Sequence, residues 1–504
     1  MKVQPIPQQD WIAKWALYSP GKVAVREAET GRTLTYGQLD RLSNALCVHL
    51  QQSFGIQTGD RIVLLAENNL EYIALFAAMQ RMGFTLVPLN YRLAATEIDY
   101  LLKDASPKLV ICEEKFEASL KKGKELAKVP HYQPWAQLQS FCEAEKEQPQ
   151  PSFPLQPVAE DHPAFILYTS GTTGYPKGAI YSHKMLFWNS INTAMSLIVN
   201  TESRTVNVMP PFHTGGWNVL MTPFLHHGGY TVLMRKFDPD QLLKVLQKER
   251  PTLFMGVPTM LKMIADASAF SQADFPGLYY IIVGGEPMPI PLIETWDKKG
   301  VAIRQGFGMT EVGPNLFSLH QDDAISKKGS IGRPNFYVKV RIVDADGRDV
   351  DQGEAGELLL KGPMVTPGYW QNEAATKKTI TDGWFRTGDM VRVDEAHYYY
   401  VVDRIKNMYI SGGENVYPAE VERVLQAHPA VAEAAVVGVP DEKWGESGLA
   451  FVVLHAQAKA IDEQALRAHC KASLAKFKVP RDVVFLEELP KNDTGKINRS
   501  ALRE

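Results

Sequence analysis

Short apolar runs of strand length alternate with longer amphipathic stretches along most of this 504-residue chain, and that rhythm narrows the fold more than any other feature. RIVLLA (61–66) precedes a helical pattern at 70–82. FTLVPL (84–89), a further helical pattern and KLVIC (108–112) follow. The rhythm returns in TVNVMP, YTVLM, LFMGV and YYIIVGG, each with a helix-like stretch behind it. Such alternation predicts an α/β fold, a largely parallel sheet covered by helices. Ligands on such sheets bind in the loops beyond the carboxyl ends of the strands. Single cores stop growing at about 250–300 residues, so a chain of this length is expected to hold at least two domains.

The rhythm is interrupted twice. Residues 143–163, EAEKEQPQPSFPLQPVAEDHP, are rich in Pro, Gln and Glu and read as a surface connection between subdomains. After about residue 335, KVRIVDADGRDV and GELLLKG read as hairpin strands with Asp-Gly and Gly-Glu turns. The last hundred residues read as a compact α+β unit. It has a strand at 398–402, a helix at 418–427, strands near 434–439 and 449–454, a helix at 462–475 and a strand at 482–486. The expected boundary lies at Arg404, with domains 1–404 and 405–504.

Composition excludes several classes. The 54 basic and 57 acidic residues nearly cancel, which argues against a polyanion-binding protein and hence against a nucleic-acid partner. No run approaches the roughly 20 apolar residues of a membrane-spanning helix, and the N-terminus, MKVQPIPQQDW, lacks a signal-peptide apolar region. Cys47, Cys112, Cys142 and Cys470 lie far apart without a CxxC pair. Neither structural zinc nor a disulfide framework is expected from them, and reduced buried thiols in a cytoplasmic protein are.

The stretch with the densest chemistry is YTSGTTGYPKG (168–178), directly behind the strand-like run 164–168. It is not a Walker A loop, because Lys177 is followed by Gly178. It lacks the Rossmann G-x-G-x-x-G, and the nucleophile elbow G-x-S-x-G occurs nowhere in the chain. What remains is a loop dense in backbone N–H groups, hydroxyls and one ammonium, which suits phosphate oxygens. Composition alone leaves two readings open, a phosphate loop and an exposed Gly/Ser/Thr surface loop.

This stretch resembles the signature of the adenylate-forming superfamily of acyl- and aryl-CoA synthetases, adenylation domains and luciferases. Further motifs follow in family order: PPFHTGG (210–216), VGGEPMP (283–289), GFGMTE (306–311), WFRTGD (384–389), DRIKNMYISGGENVYPAEVE (403–422) and PKNDTGK (490–496). ISGGENVYPAEVE and GVPDEKWGE (438–446) most resemble fatty acyl-CoA ligases and their 4-coumarate-type relatives. The resemblance implies a large N-terminal domain of helix-covered sheets with a β-barrel-like subdomain, and a small mobile α+β C-terminal domain. It also implies a two-step reaction. A carboxylate attacks the α-phosphorus of ATP, giving acyl-AMP and pyrophosphate; the thiol of coenzyme A then displaces AMP.

Residue roles are implied by the same resemblance. Thr169, Ser170, Gly171, Thr172, Thr173, Gly174 and Lys177 would hold the β- and γ-phosphates. Thr310 would donate to the α-phosphate, and Glu311 would bind Mg²⁺, a hard cation that prefers carboxylate oxygen. Gly285, Glu286, Pro287, Gly306, Phe307, Gly308 and Met309 would border the nucleotide, with Phe307 against adenine where many relatives have tyrosine. Asp389 would accept the ribose hydroxyls, with Arg404 beside it. Lys496 would neutralise charge at the α-phosphate and carboxylate during adenylation. His213 would stand at the mouth of an acyl pocket that includes Trp217, Val283, Gly284 and Gly308. Ser411, Gly412 and Gly413 would line the coenzyme A side. Lys406, where many relatives have Asp, would be the pivot about which the C-terminal domain turns between the two steps.

The expected acid is a medium- or long-chain fatty acid. The alternatives are an aryl or hydroxycinnamate acid, and an adenylation enzyme that loads a separate carrier protein. No carrier domain follows Lys496, which favours free coenzyme A. A non-enzymatic nucleotide binder is expected to lack Lys496, Glu311 or Asp389, and all three are present. A monomer or homodimer is expected, and long-chain substrates are compatible with peripheral membrane contact.

Overall fold

A computed structural model describes residues 9–149, 153–154, 156–169, 176–286, 288–412, 414–442, 444–456, 458, 461–492 and 495–503. Two compact units emerge. The first comprises Met1–Lys328, Pro334–Lys339 and Leu360–Phe385. The second comprises Gly329–Arg333, Val340–Leu359 and Arg386–Glu504. The last junction of this division, Phe385/Arg386, falls within the strand Trp384–Val393.

The first unit is α/β, as the alternation requires. One sheet has six strands, in the order His131–Pro134, Leu109–Cys112, Arg61–Leu65, Thr85–Pro88, Pro163–Thr169 and Lys177–Ser182. All neighbours are parallel except the last two, which form an antiparallel hairpin. A second sheet contains the parallel strands Val23–Glu27, Tyr230–Leu233, Arg204–Asn207, Leu253–Gly256, Tyr280–Val283 and Ala302–Met309. Gly313–Ser318 returns antiparallel beside the last of these.

The helix Leu70–Met82 touches a strand of each sheet and is buried along its whole length, which explains why its sequence is apolar nearly all round. Asn69 caps its start through the Tyr72 N–H, and Gly83, at φ +75°, ends it. Its one buried cation, Arg81, is matched by Asp10 (2.8 Å) and Asp40 (2.5 Å). The energetic core is apolar, each fully buried Leu, Ile or Phe contributing about 1.5–3 kcal/mol.

In the second unit, Tyr409–Ser411, Glu414–Val416, Val431–Asp441, Gly445–Leu454 and Asp482–Phe485 form a five-stranded sheet. The helices Pro418–Gln426 and Glu463–Ser473 place Val421, Leu425, Leu466 and Cys470 in its core. A further five-stranded sheet, not confined to this unit, contains Lys339–Val343, Gly356–Lys361, Trp384–Val393, Ile380–Thr381 and Tyr399–Arg404. Val343 bridges to Asp349 within its own turn, and Tyr399 bridges to Gly332.

All four cysteines are buried and unbridged. Burial pushes the thiols of Cys47 and Cys112 up to about 12 and that of Cys470 up to about 11, and it raises that of Cys142 well above its ordinary value. No helix among the described residues is long and apolar enough to cross a membrane.

Candidate active site

In the first unit the site grows from two hairpins. The strands Pro163–Thr169 and Lys177–Ser182 pair in a register that sets Thr169 directly opposite Lys177. The chain leaves the sheet between them at a strand's carboxyl end, the position expected for a ligand loop. Ser170, Gly171, Thr172, Thr173 and Gly174 of that loop lie outside the described residues.

The second hairpin runs from Ala302–Met309 through a single 3₁₀ turn, Thr310–Val312, into Gly313–Ser318. Glycine at 308 is dictated by packing, because a Cβ there would sit 2.2 Å from the carbonyl oxygen of Pro314. The turn presents Thr310 and Glu311, both half-buried. Phe307 is half-buried and meets Phe317 edge-on at 5.8 Å.

A side chain of the first hairpin and one from a segment outside both hairpins converge on the Glu311 carboxylate. The Tyr369 hydroxyl donates to Glu311 Oε1 at 3.0 Å, and Thr169 Oγ1 donates to the same oxygen at 3.4 Å. Lys177 Nζ lies 5.5 Å from the centre of the Tyr369 ring. Tyr369 went unassigned in the sequence because its partner is 58 residues away; the only local signal is the Gly-Tyr-Trp at 368–370. No group of three or more His, Cys, Asp or Glu able to hold a metal occurs among the described residues. A single carboxylate flanked by hydroxyls fits Mg²⁺, which is commonly held by one or two carboxylates together with substrate phosphates.

Of the residues expected around the acyl pocket, His213 is half-buried beside Phe212 (rings 4.6 Å apart), and Gly284 is half-buried behind the strand Tyr280–Val283. Two others take core positions. Trp217 is 2% exposed, packs against Phe165 and Phe76, and donates its indole N–H to the carbonyl of Pro211 at 2.8 Å. Val283 is wholly buried in the core of the second sheet. Gly285 takes φ +90°, Glu286 is half-buried, Gly306 and Met309 sit in the strand that carries Phe307, and Pro287 lies outside the described residues.

In the second unit, Asp389 stands on Trp384–Val393 directly opposite Arg404 on Tyr399–Arg404. Arg404 Nε approaches Asp389 Oδ1 at 2.6 Å. Asp389 Oδ2 is buried and has no hydrogen-bond partner among the described residues. Burial pushes this carboxyl up to about 6, against the lowering effect of Arg404 and Lys496 and with a small further push from Asp403. Lys496 lies next to an antiparallel bridge between Lys491 and Ile497; the Lys496 N–H donates to Asn492 Oδ1 at 3.0 Å. The Lys406 ammonium is held below its ordinary value by partial burial and by the neighbouring cations Arg404, Arg499 and Lys496. These charges surround one carboxylate with cations, a field that suits an anionic ligand.

On the expected coenzyme A side, Ser411 is buried and Gly413 lies outside the described residues. Gly412 takes φ +62° and donates its N–H to the carbonyl of Trp444 at 2.8 Å. A Cβ on Gly412 would meet the Trp444 ring at 2.6 Å.

Comparison with known proteins covers nearly the whole chain. The family model for AMP-binding enzymes matches residues 12–370, and that for the AMP-binding enzyme C-terminal domain matches residues 420–496. A feruloyl-CoA synthase of Amycolatopsis sp. is 38% identical over 496 residues, covering 98% of each chain. The long-chain-fatty-acid–CoA ligase FadD13 of Mycobacterium tuberculosis is 35% identical, covering 97% of this chain and 96% of its own. Among solved structures, ATP-bound MatB from Rhodopseudomonas palustris superposes with a TM-score of 0.89 at 31% identity, covering 98% of both chains.

Proposed function

The chain belongs to the AMP-binding enzyme family and is an AMP-forming acid–CoA ligase that works with ATP, Mg²⁺ and coenzyme A; from that premise we propose that its acid is a medium- or long-chain fatty acid and that the residues described above divide the work as follows. The orphaned oxygen of Asp389 carries the nucleotide assignment. Oδ1 is fixed by Arg404, so Oδ2 is turned toward an outside donor, and a ribose hydroxyl supplies one. Thr169 and Lys177 hold the terminal phosphates, Thr310 donates to the α-phosphate, and Phe307 borders adenine.

The acid's carboxylate oxygen bonds to the α-phosphorus while the bond to the bridging oxygen of pyrophosphate breaks. Negative charge gathers on phosphorus-bound oxygens as it does so, and Lys496 and Thr310 oppose that charge. Glu311 would hold Mg²⁺, which would supply charge neutralisation at the phosphates. In the second step the thiolate sulfur attacks the acyl carbon and AMP leaves. Ser411 and the backbone at Gly412 border that thiol's path, with the smaller domain, 405–504, turning about Lys406 between steps.

A flexible aliphatic acid is supported by the methionines beside the PPFHTGG segment. A Cβ on Gly215 would touch Met209 Cε at 3.4 Å and Met255 Cε at 3.8 Å. Thioether side chains adapt their shape and suit a chain of variable conformation. A second reading, an aryl acid, is favoured by the slightly higher identity to the feruloyl-CoA synthase. The deciding experiment is a pyrophosphate-release screen over short, medium and long fatty acids and aryl acids, with and without coenzyme A. Turnover peaking on fatty acids is expected; turnover confined to aryl acids establishes the second reading instead.

A further inference from the structure

Residues 366–370, TPGYW, belong to none of the motifs quoted above, yet they are laced to both hairpins of the site. The Thr366 N–H donates to the carbonyl of Glu311 (2.7 Å) and its hydroxyl to the carbonyl of Ile180 (2.6 Å). The Ile180 N–H donates to the carbonyl of Gly368 (3.1 Å), and the Trp370 N–H to that of Gly178 (2.7 Å). The segment therefore lies along the strand Lys177–Ser182 and reaches across to the turn that carries Glu311. Tyr369 sits at its centre, its own N–H donating to Thr376 Oγ1 at 2.9 Å.

Both hydroxyls that address the Glu311 carboxylate, from Tyr369 and Thr169, fall on Oε1. A carboxylate pinned by one oxygen has lost its freedom to rotate, and the other oxygen keeps a fixed direction. The Tyr369 ring meanwhile faces the Lys177 ammonium. A cation held over an aromatic face is attracted to it without being neutralised, so Lys177 has a resting place that is not Glu311.

We propose that Tyr369 is a positioning residue for the metal-binding carboxylate: its hydroxyl fixes Glu311 with Oε2 directed at the cation, and its ring parks Lys177 so that the two charges do not cancel. This rests on the reading that Glu311 binds Mg²⁺.

The test measures Mn²⁺ binding directly by electron paramagnetic resonance, in the presence of the unreactive nucleotide α,β-methylene-ATP. Parent enzyme, Tyr369→Phe, Tyr168→Phe and Glu311→Gln are compared, each checked for native circular dichroism. Tyr168 is the control because its hydroxyl, on the hairpin that carries Thr169, donates to Asp104 at 2.7 Å instead. Tyr369→Phe is expected to raise the Mn²⁺ dissociation constant about tenfold, as losing an outer-shell donor does, while Tyr168→Phe stays within twofold of the parent. If Glu311→Gln weakens Mn²⁺ and Tyr369→Phe does not, the positioning role is overturned and the metal role of Glu311 stands. If Tyr168→Phe and Tyr369→Phe weaken it equally, the effect is a loosened hairpin and the positioning role is again overturned. If Glu311→Gln binds Mn²⁺ as the parent does, both assignments fall.

Discussion

At the scale of single residues, Asp389 makes the sharpest demand. Its native carboxyl holds a proton up to about 6, against an ordinary 3.8 in the unfolded chain, chiefly because it is buried. The native state therefore binds the proton more tightly, and this group's contribution to stability declines as pH rises from about 4 to about 6 and is level above that. Ribose binding runs the opposite way, since the ionised form is the better acceptor. The dissociation constant for adenosine, which carries no titrating phosphate, should be flat above pH 7 and rise as pH falls through about 6. In Asp389→Asn it should be weaker and independent of pH between 5 and 8; calorimetric titration of both proteins checks this. Lys496 acts on charge alone, so Lys496→Ala should abolish pyrophosphate release while sparing thioester formation from supplied acyl-adenylate. Equal loss in both half-reactions would remove Lys496 from the adenylation step.

At the scale of elements, the strand and helix periods carried far. The helical pattern at 70–82 is the helix Leu70–Met82, and 418–427 and 462–475 correspond to Pro418–Gln426 and Glu463–Ser473. These are long periodic segments whose signal is local. The hairpin partners Lys177–Ser182 and Gly313–Ser318 were not legible, because each is recognised as a strand mainly by the neighbour it pairs with. Tyr369 and the core position of Trp217 were hidden for the same reason: both depend on contacts distant in sequence. The return of Gly313–Ser318 onto Ala302–Met309 depends on bare backbone at Gly308. Gly308→Ala is expected to cost about 3 kcal/mol through overpacking and to displace Thr310 and Glu311 with the turn. Gly21→Ala, where a Cβ meets nothing within 4 Å, should be near neutral. Urea unfolding of the two variants, paired with pyrophosphate release, measures both effects.

At the scale of the whole molecule, fold class and reaction class followed from motifs spread along the chain, whereas the identity of the acid did not, because pocket shape is set by side chains from several elements. The proposed turn about Lys406 predicts a split between half-reactions. Lys406→Pro fixes φ near −65°, so adenylation and thioester formation should be slowed by very different factors; rapid quench of each step separately tests this, and equal slowing would count against a pivot there. The buried thiols carry a practical corollary. A native protein whose four sulfhydryls are all shielded and protonated at neutral pH should stay silent toward Ellman's reagent. Consumption of the free coenzyme can then be followed colorimetrically in the same cuvette, and any slow colour arising from the enzyme itself becomes a clock for its unfolding.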